Sequence, residues 1–255
     1  MADVDVRADV VDQYDGYYED GVSEWRRLGA LDKAANIVAL CRQIPASSVL
    51  EIGAGDGSIL SRLSELGFGD QLYAAEISRS GVAVIERRGI PRLAECRLFD
   101  GSHLPWDDKK FDLAILSHVV EHLEHPRQLL AEAARVARHV FVEVPTEDIS
   151  RRAKDYAPDR VGHINFFSPR TIRWLLQSSG LRVLTQVTTN PSKAVYAFEA
   201  GRSGLVRYHT KDLLLRLVPA LATRHFCYHE ALLATPEPEA RAEAGQSGRS
   251  GSHAG

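Results

Sequence analysis

The spacing of apolar positions divides the chain into short alternating segments. WRRLGALDKAANIVAL, between Glu24 and Cys41, places apolar residues three and four apart, the period of a helix that buries one face. IPASS then leads into SVLEIGAG, a β-branched run that ends in glycines and predicts a strand followed by a tight turn. The alternation continues. SILSRLSELGF predicts a helix stopped by Gly67, QLYAAEIS a strand with an acid at its carboxyl end, and SGVAVIERRGI another helix. AECRLFDG and FDLAILSH are strands, HPRQLLAEAARVA is a helix, and HVFVEVP follows it as a strand. SPRTIRWLLQSSG has a Ser168 cap, Pro169 at the first helical position and a Gly180 stop, and LRVLTQVTT is a strand after it. Residues 191 to 225 form an insertion before CYHEALLATP, the last strand. These segments predict an α/β fold with a doubly wound, mostly parallel seven-stranded sheet, and ligands outside the carboxyl ends of its strands. Glu51, Glu76, Asp100 and His118 all fall on that rim.

Composition narrows the partners. The 255 residues are 44% apolar and 25% charged, enough for one well-buried domain with an insertion. A formal net charge of -3 gives no general basic field for a nucleic-acid backbone, so a small-molecule or glycan acceptor is favoured. Cys41, Cys96 and Cys227 are odd in number and lack CxxC spacing, which points to a reducing compartment and away from a disulfide framework or a thiolate zinc site. The acidic N-terminus lacks the pattern of a secretory signal, and DLLLRLVPALA, the longest apolar run, is about half a membrane span and contains Arg216 and Pro219. The expectation is a cytoplasmic protein. The stretch from Pro236 to the end is small and polar, and reads as a disordered tail.

The chemistry starts at SVLEIGAGDGS. Glu51-x-Gly53-x-Gly55-x-Gly57 lies on a strand-to-helix turn, where missing side chains let the backbone approach a ligand. A dinucleotide fingerprint wants its third glycine three residues after the second, and Ser58 stands there instead. At residues 117 to 126 the chain reads SHVVEHLEHP. Wound as a helix, this puts His118, Glu121, His122 and His125 on one face, a pattern shared by metal sites, general-base sites and solvated helix faces. His125 precedes Pro126, which pushes it out of helical geometry.

With these motifs in order, the chain resembles the class I S-adenosylmethionine-dependent methyltransferases over roughly residues 45 to 190. The resemblance implies that the turn of Glu51, Gly53, Ala54 and Gly55 lies against the methionine part of S-adenosylmethionine. Glu76, with Ile77 beside it, would bind the ribose hydroxyls, and Asp100 with Gly101 would receive the adenine amine. Ser117 and the residues after it would lie at the methyl-transfer centre. It also implies a helical lid or cap segment over residues 1 to 44, whose Tyr14, Tyr17, Tyr18 and Trp25 would fold over the cofactor, line the acceptor pocket or else simply pack in the core or on the surface, ahead of a methyltransferase domain at 45 to 235. The basic residues of the insertion would face an anionic or hydroxyl-rich acceptor, or else solvent.

Histidines beside the methyl site suggest an oxygen acceptor, because a hydroxyl must lose a proton during transfer whereas a neutral amine need not. His118-Val119-Val120-Glu121-His122 is similar to the ExxEH segment of metal-dependent small-RNA terminal-ribose methyltransferases, with His118 in place of their first glutamate. His163 in GHINFFSP stands where that family has a further ligand. The likeness implies either a divalent metal held by His118, Glu121, His122 and His163, or a metal-free site in which His118, His122 or His163 is a base or substrate contact. The main expectation is an S-adenosylmethionine-dependent O-methyltransferase of a small molecule or glycan. The alternatives are a terminal-ribose RNA methyltransferase and a cofactor-binding partner subunit without turnover.

Overall fold

The computed structural model describes residues 24–150, 152 and 162–237. The aromatic residues Tyr14, Tyr17 and Tyr18, together with Arg151, Lys154 and the tail beyond Glu237, lie outside them. Helix α1 (Glu24–Cys41) leads into β1 (Ser48–Ile52), α2 (Ser58–Glu65), β2 (Gln71–Glu76), α3 (Arg79–Arg88), β3 (Leu93–Leu98) and β4 (Phe111–Ser117). Then come α4 (Pro126–Val136), β5 (Ala137–Pro145), α5 (Pro169–Gln177), β6 (Leu181–Thr189), α6 (Lys193–Leu217), α7 (Pro219–His225) and β7 (His229–Pro236). The strands form one seven-stranded sheet in the order β3-β2-β1-β4-β5-β7-β6. Neighbours from β3 to β5 are parallel, and β7 runs antiparallel to both β5 and β6. This is the α/β, mostly parallel architecture that the alternating segments predict.

Side chains alternate across the pleat, so each face has its own core. Leu50, Ile52, Tyr73 and Ala75 pack under α4 and α5 with Leu129, Leu130, Ala133, Ile172 and Leu176. Val49, Leu72, Ala74, Leu113 and Phe141 pack on the opposite face against Ala34 and Ile37 of α1, Leu60 and Leu63 of α2, and Ile85 of α3. Helix α1 is therefore built into the core on the sheet, and its Trp25 is 43% exposed. Helix α5 starts at a reciprocal cap in which Ser168 Oγ accepts from the Thr171 amide and Thr171 Oγ1 accepts from the Ser168 amide, so donors at the helix start are paired. In the insertion, α6 is kinked where Ala200 and Gly201 leave helical geometry. Arg207 pairs with Glu199 and Arg216 with Asp212. Among the described residues no helix is long and apolar enough to cross a membrane.

Lys211 is the exception among these basic residues. It is 8% exposed, and its ammonium donates to Tyr196 Oη and to the Cys227 carbonyl. Burial pushes it down to about 8, opposed by weaker effects from Cys227 and Glu199 and reinforced by nearby Arg207. Below that pH the folded state carries a buried charge that the unfolded chain keeps in water, so stability rises as pH climbs from about 8 toward the free-lysine value. The full span corresponds to about 3 kcal/mol. Thermal melts across pH 7.5 to 10 are expected to show this rise in the wild type and its loss in Lys211→Met.

Candidate active site

The glycine turn between β1 and α2 is drawn tightly onto the end of β2. The amides of Gly53 and Ala54 both donate to the Ala75 carbonyl, at 2.8 and 3.2 Å, and the Gly55 amide donates to Glu76 Oε2 at 2.7 Å. Glu76 Oε1 accepts from the Ser78 amide. Gly53, Gly55 and Gly57 all have positive φ, in the left-handed region where a side chain is penalised. A Cβ on Gly53 would also stand 2.7 Å from Val119 Cγ2, so missing side-chain bulk lets the turn meet the segment that follows β4. Gly53→Ala combines both penalties and is expected to destabilise the fold by about 2 kcal/mol, read as a lower denaturant midpoint.

Two further acids lie at strand ends. Glu51 is 2% exposed, its Oε2 has no hydrogen-bond partner, and burial pushes its carboxyl well above the usual range. Asp100 lies just past β3, where its Oδ1 accepts from the amides of Ser102 and His103 and from Ser102 Oγ. Ser117 closes β4 with its hydroxyl buried and unpartnered.

The segment after β4 is not the helix that its spacing predicts. His118 takes φ 58°, Val120–His122 make one short 3-10 turn, and Leu123 is extended. Contacts remote in sequence set this path. The His118 amide donates to the Glu143 carbonyl at 2.8 Å, carrying on the β4–β5 ladder. Asn165 Nδ2 donates to the Leu123 carbonyl at 2.6 Å, and the Ile164 and Asn165 amides both donate to the Glu121 carbonyl. Backbone groups that a helix would use are thus committed elsewhere. As expected, His125 points away: it is exposed and precedes the first residue of α4.

The irregular turn also divides the predicted ligands. Glu121, His122 and His163 form one group, whereas His118 groups with Glu143 and His229, which the motif reading missed. The four predicted ligands do not gather at one point. His118 Nδ1 lies 3.4 Å from Glu121 Oε1, so the groups adjoin. Glu121 is fully buried, neither of its oxygens has a hydrogen-bond partner, and burial pushes its carboxyl up to about 7. The His122 and His163 rings meet edge to face at 4.8 Å. His163 Nδ1 lies 2.8 Å from Glu147 Oε2, the short distance expected when a carboxylate accepts the ring N–H. Glu147 also lies 3.5 Å from Arg152 Nη1.

The missed members come from α1, β5, the stretch after β5, and β7. Asn36 Nδ2 of α1 donates to Glu143 Oε2 at 2.8 Å, and Lys33 one turn earlier acts electrostatically on both Glu51 and His118. A visible signal was Glu143 inside the apolar run HVFVEVP, since a carboxylate is seldom buried without a task.

Comparison with known proteins decides the family, because a description of a methyltransferase domain matches residues 24–186. The chain belongs to the methyltransferase domain family. It is an S-adenosylmethionine-dependent methyltransferase of class I, with the seven-stranded sheet of that class. This methyltransferase is 25% identical over 189 residues to an uncharacterized protein of Methanocaldococcus jannaschii, covering 69% of this chain and 84% of the relative. Its fold is similar to that of the methyltransferase solved in complex with the Haloferax volcanii Trm112 methyltransferase activator, with TM-score 0.62, 16% identity, and coverage of 89% and 98%. It is also similar to magnesium protoporphyrin IX methyltransferase from Synechocystis with bound S-adenosylmethionine, with TM-score 0.54, 18% identity, and coverage of 93% and 100%. At these identities the two structures speak for the fold.

Proposed function

We propose that this methyltransferase transfers the methyl group to a hydroxyl oxygen of a small molecule or sugar. The observation that carries the reading is the His163–Glu147 pair at 2.8 Å. Its place matters, because the segment bearing His163 is hydrogen-bonded to the turn that packs Val119 onto Gly53.

The residues at the strand ends fit the cofactor. The positive-φ turn exposes backbone, and Glu51 before it keeps an unpartnered buried oxygen suited to an amino group. In this reading Glu51, Gly53, Ala54, Gly55 and Ser117 hold the methionine end, Glu76 and Ile77 the ribose, and Asp100 and Gly101 the adenine. When bound, S-adenosylmethionine supplies an electrophilic methyl carbon on a sulfonium.

The protein's task is then to align the acceptor and take its proton. Glu147 accepts the His163 Nδ1 proton, fixing the tautomer that leaves the Nε2 lone pair as the proton acceptor. His122 lies edge-on to that ring and is placed to contact the acceptor.

One observation favours a second reading. The two unpartnered oxygens of buried Glu121, beside His122 and His163, fit a divalent ion that would polarise the hydroxyl, with Glu147 then orienting a ligating His163.

The test is transfer of labelled methyl to sugars, phenols, RNA 3′ ends and amines, with and without chelator. Label on sugar or phenol hydroxyls that survives chelation supports the base, and label lost on chelation supports the ion. Label confined to amines overturns an oxygen acceptor. Cofactor uptake without any turnover favours a binding subunit, and label confined to RNA ends the terminal-ribose reading.

A further inference from the structure

His118, Glu143 and His229 come from three elements and converge on one point. His118 follows β4 directly, Glu143 lies near the end of β5, and His229 opens β7, where it pairs in register with Pro145. Antiparallel β7 therefore starts on the rim where the parallel strands finish. His118 Nε2 lies 3.4 Å from Glu143 Oε1, and His229 Nδ1 lies 3.6 Å from the same oxygen. One ligating atom from each residue lies within 4.8 Å of the other two. All three of these atoms are shut off from solvent, and none has a hydrogen-bond partner.

The carboxylate is aimed. Asn36 donates to Glu143 Oε2, which leaves Oε1 turned to the two imidazoles, and their rings meet edge to face at 4.6 Å. Glu143 is fully buried, while the side chains of His118 and His229 are 19% and 18% exposed, so other parts of the two rings, not the ligating atoms, meet solvent.

The spacings discriminate between two explanations. A hydrogen bond from ring N–H to carboxylate is about 2.7–2.9 Å long, and both contacts to Glu143 exceed that by half an ångström or more. Donors held about 2.0–2.1 Å from a tetrahedral ion stand about 3.3–3.4 Å apart along the edges of the tetrahedron. The His118 contact therefore has the length of an edge around a shared ion, and the His229 contact is about 0.2 Å longer. Two nitrogens and one oxygen suit a borderline transition cation better than magnesium, which prefers oxygen.

We propose that His118 Nε2, Glu143 Oε1 and His229 Nδ1 form a binding site for a divalent first-row transition ion such as zinc, separate from the Glu121, His122 and His163 group. Asn36 steadies Glu143 from behind through its hydrogen bond to Oε2. The site stands whether or not the acceptor is a hydroxyl, so its failure and the failure of that reading are separable.

Chelator-stripped full-length protein is titrated with zinc by calorimetry and with cobalt by visible absorption. The wild type is expected to bind, with a tetrahedral cobalt spectrum. Glu143→Gln and His229→Ala are expected to weaken this binding at least 100-fold, whereas His122→Ala and His163→Ala retain it. Asn36→Ala keeps every ligand and is expected to weaken it about 10–100-fold, which serves if the other variants unfold. A second ion, lost in His122→Ala but not in His229→Ala, is compatible and supports two sites. The proposal is overturned if the wild type takes up neither zinc nor cobalt. It is also overturned if binding is lost in His122→Ala or His163→Ala yet unchanged in Glu143→Gln, His229→Ala and Asn36→Ala.

Discussion

Replacing His163 with alanine is expected to lower kcat on a hydroxyl acceptor by about 10²–10⁴-fold, the usual contribution of a positioned base, while affinity for S-adenosylhomocysteine stays within a few-fold. The reason for the split is location. His163 belongs to the segment that lies across the turn after β4, whereas the assigned cofactor groups stand at the ends of β1, β2, β3 and β4 and do not include that segment. Glu147→Gln keeps the shape of the pair but no longer favours the tautomer with its proton on Nδ1, so it should also reduce kcat, though less than loss of the ring. Steady-state kinetics with labelled methyl donor reads both, and calorimetry with the product cofactor controls for binding. Full turnover by His163→Ala, with chelation also without effect, would remove both chemical roles proposed for this cluster.

Glu76→Ala is the second large effect, with the opposite signature: affinity for S-adenosylmethionine and S-adenosylhomocysteine is expected to fall at least 100-fold. Hydrogen bonds to a charged acceptor contribute about 1.5–3 kcal/mol each, so losing two to the ribose accounts for that factor. The same carboxylate holds the Gly55 and Ser78 amides, and removing it leaves both donors without their partner and frees the glycine turn. Glu76→Gln keeps one acceptor oxygen and should fall between the two. Calorimetry on each purified variant, with thermal melts to check folding, decides the matter. Unchanged affinity in Glu76→Ala would mean that the nucleoside does not sit at the end of β2.

Local signals were enough for most of the fold. The β-branched run ending in glycines marked β1 and its stop after Ile52, and Ser168 and Pro169 marked the start of α5. Such features depend on neighbours a few residues away, which a single sequence displays. The one strong misreading, a helix through SHVVEHLEHP, arose because spacing three and four apart describes only a helix's own geometry. The contacts that bend this segment come from Glu143 and Asn165, remote in the chain.

The candidate site divides along the same line. The sequence by itself determined which strand ends carry acids and glycines, and that histidines follow β4. Only the tertiary structure decided which of those groups share a point in space: His163 with Glu147, and His118 with Glu143 and His229 rather than with His122. The physical reason is the strand order. Inserting antiparallel β7 between β5 and β6 brings His229 to the same rim as Glu143, and α1 crosses the sheet to reach Glu143 through Asn36, 107 residues away. No spacing within a single segment encodes either meeting.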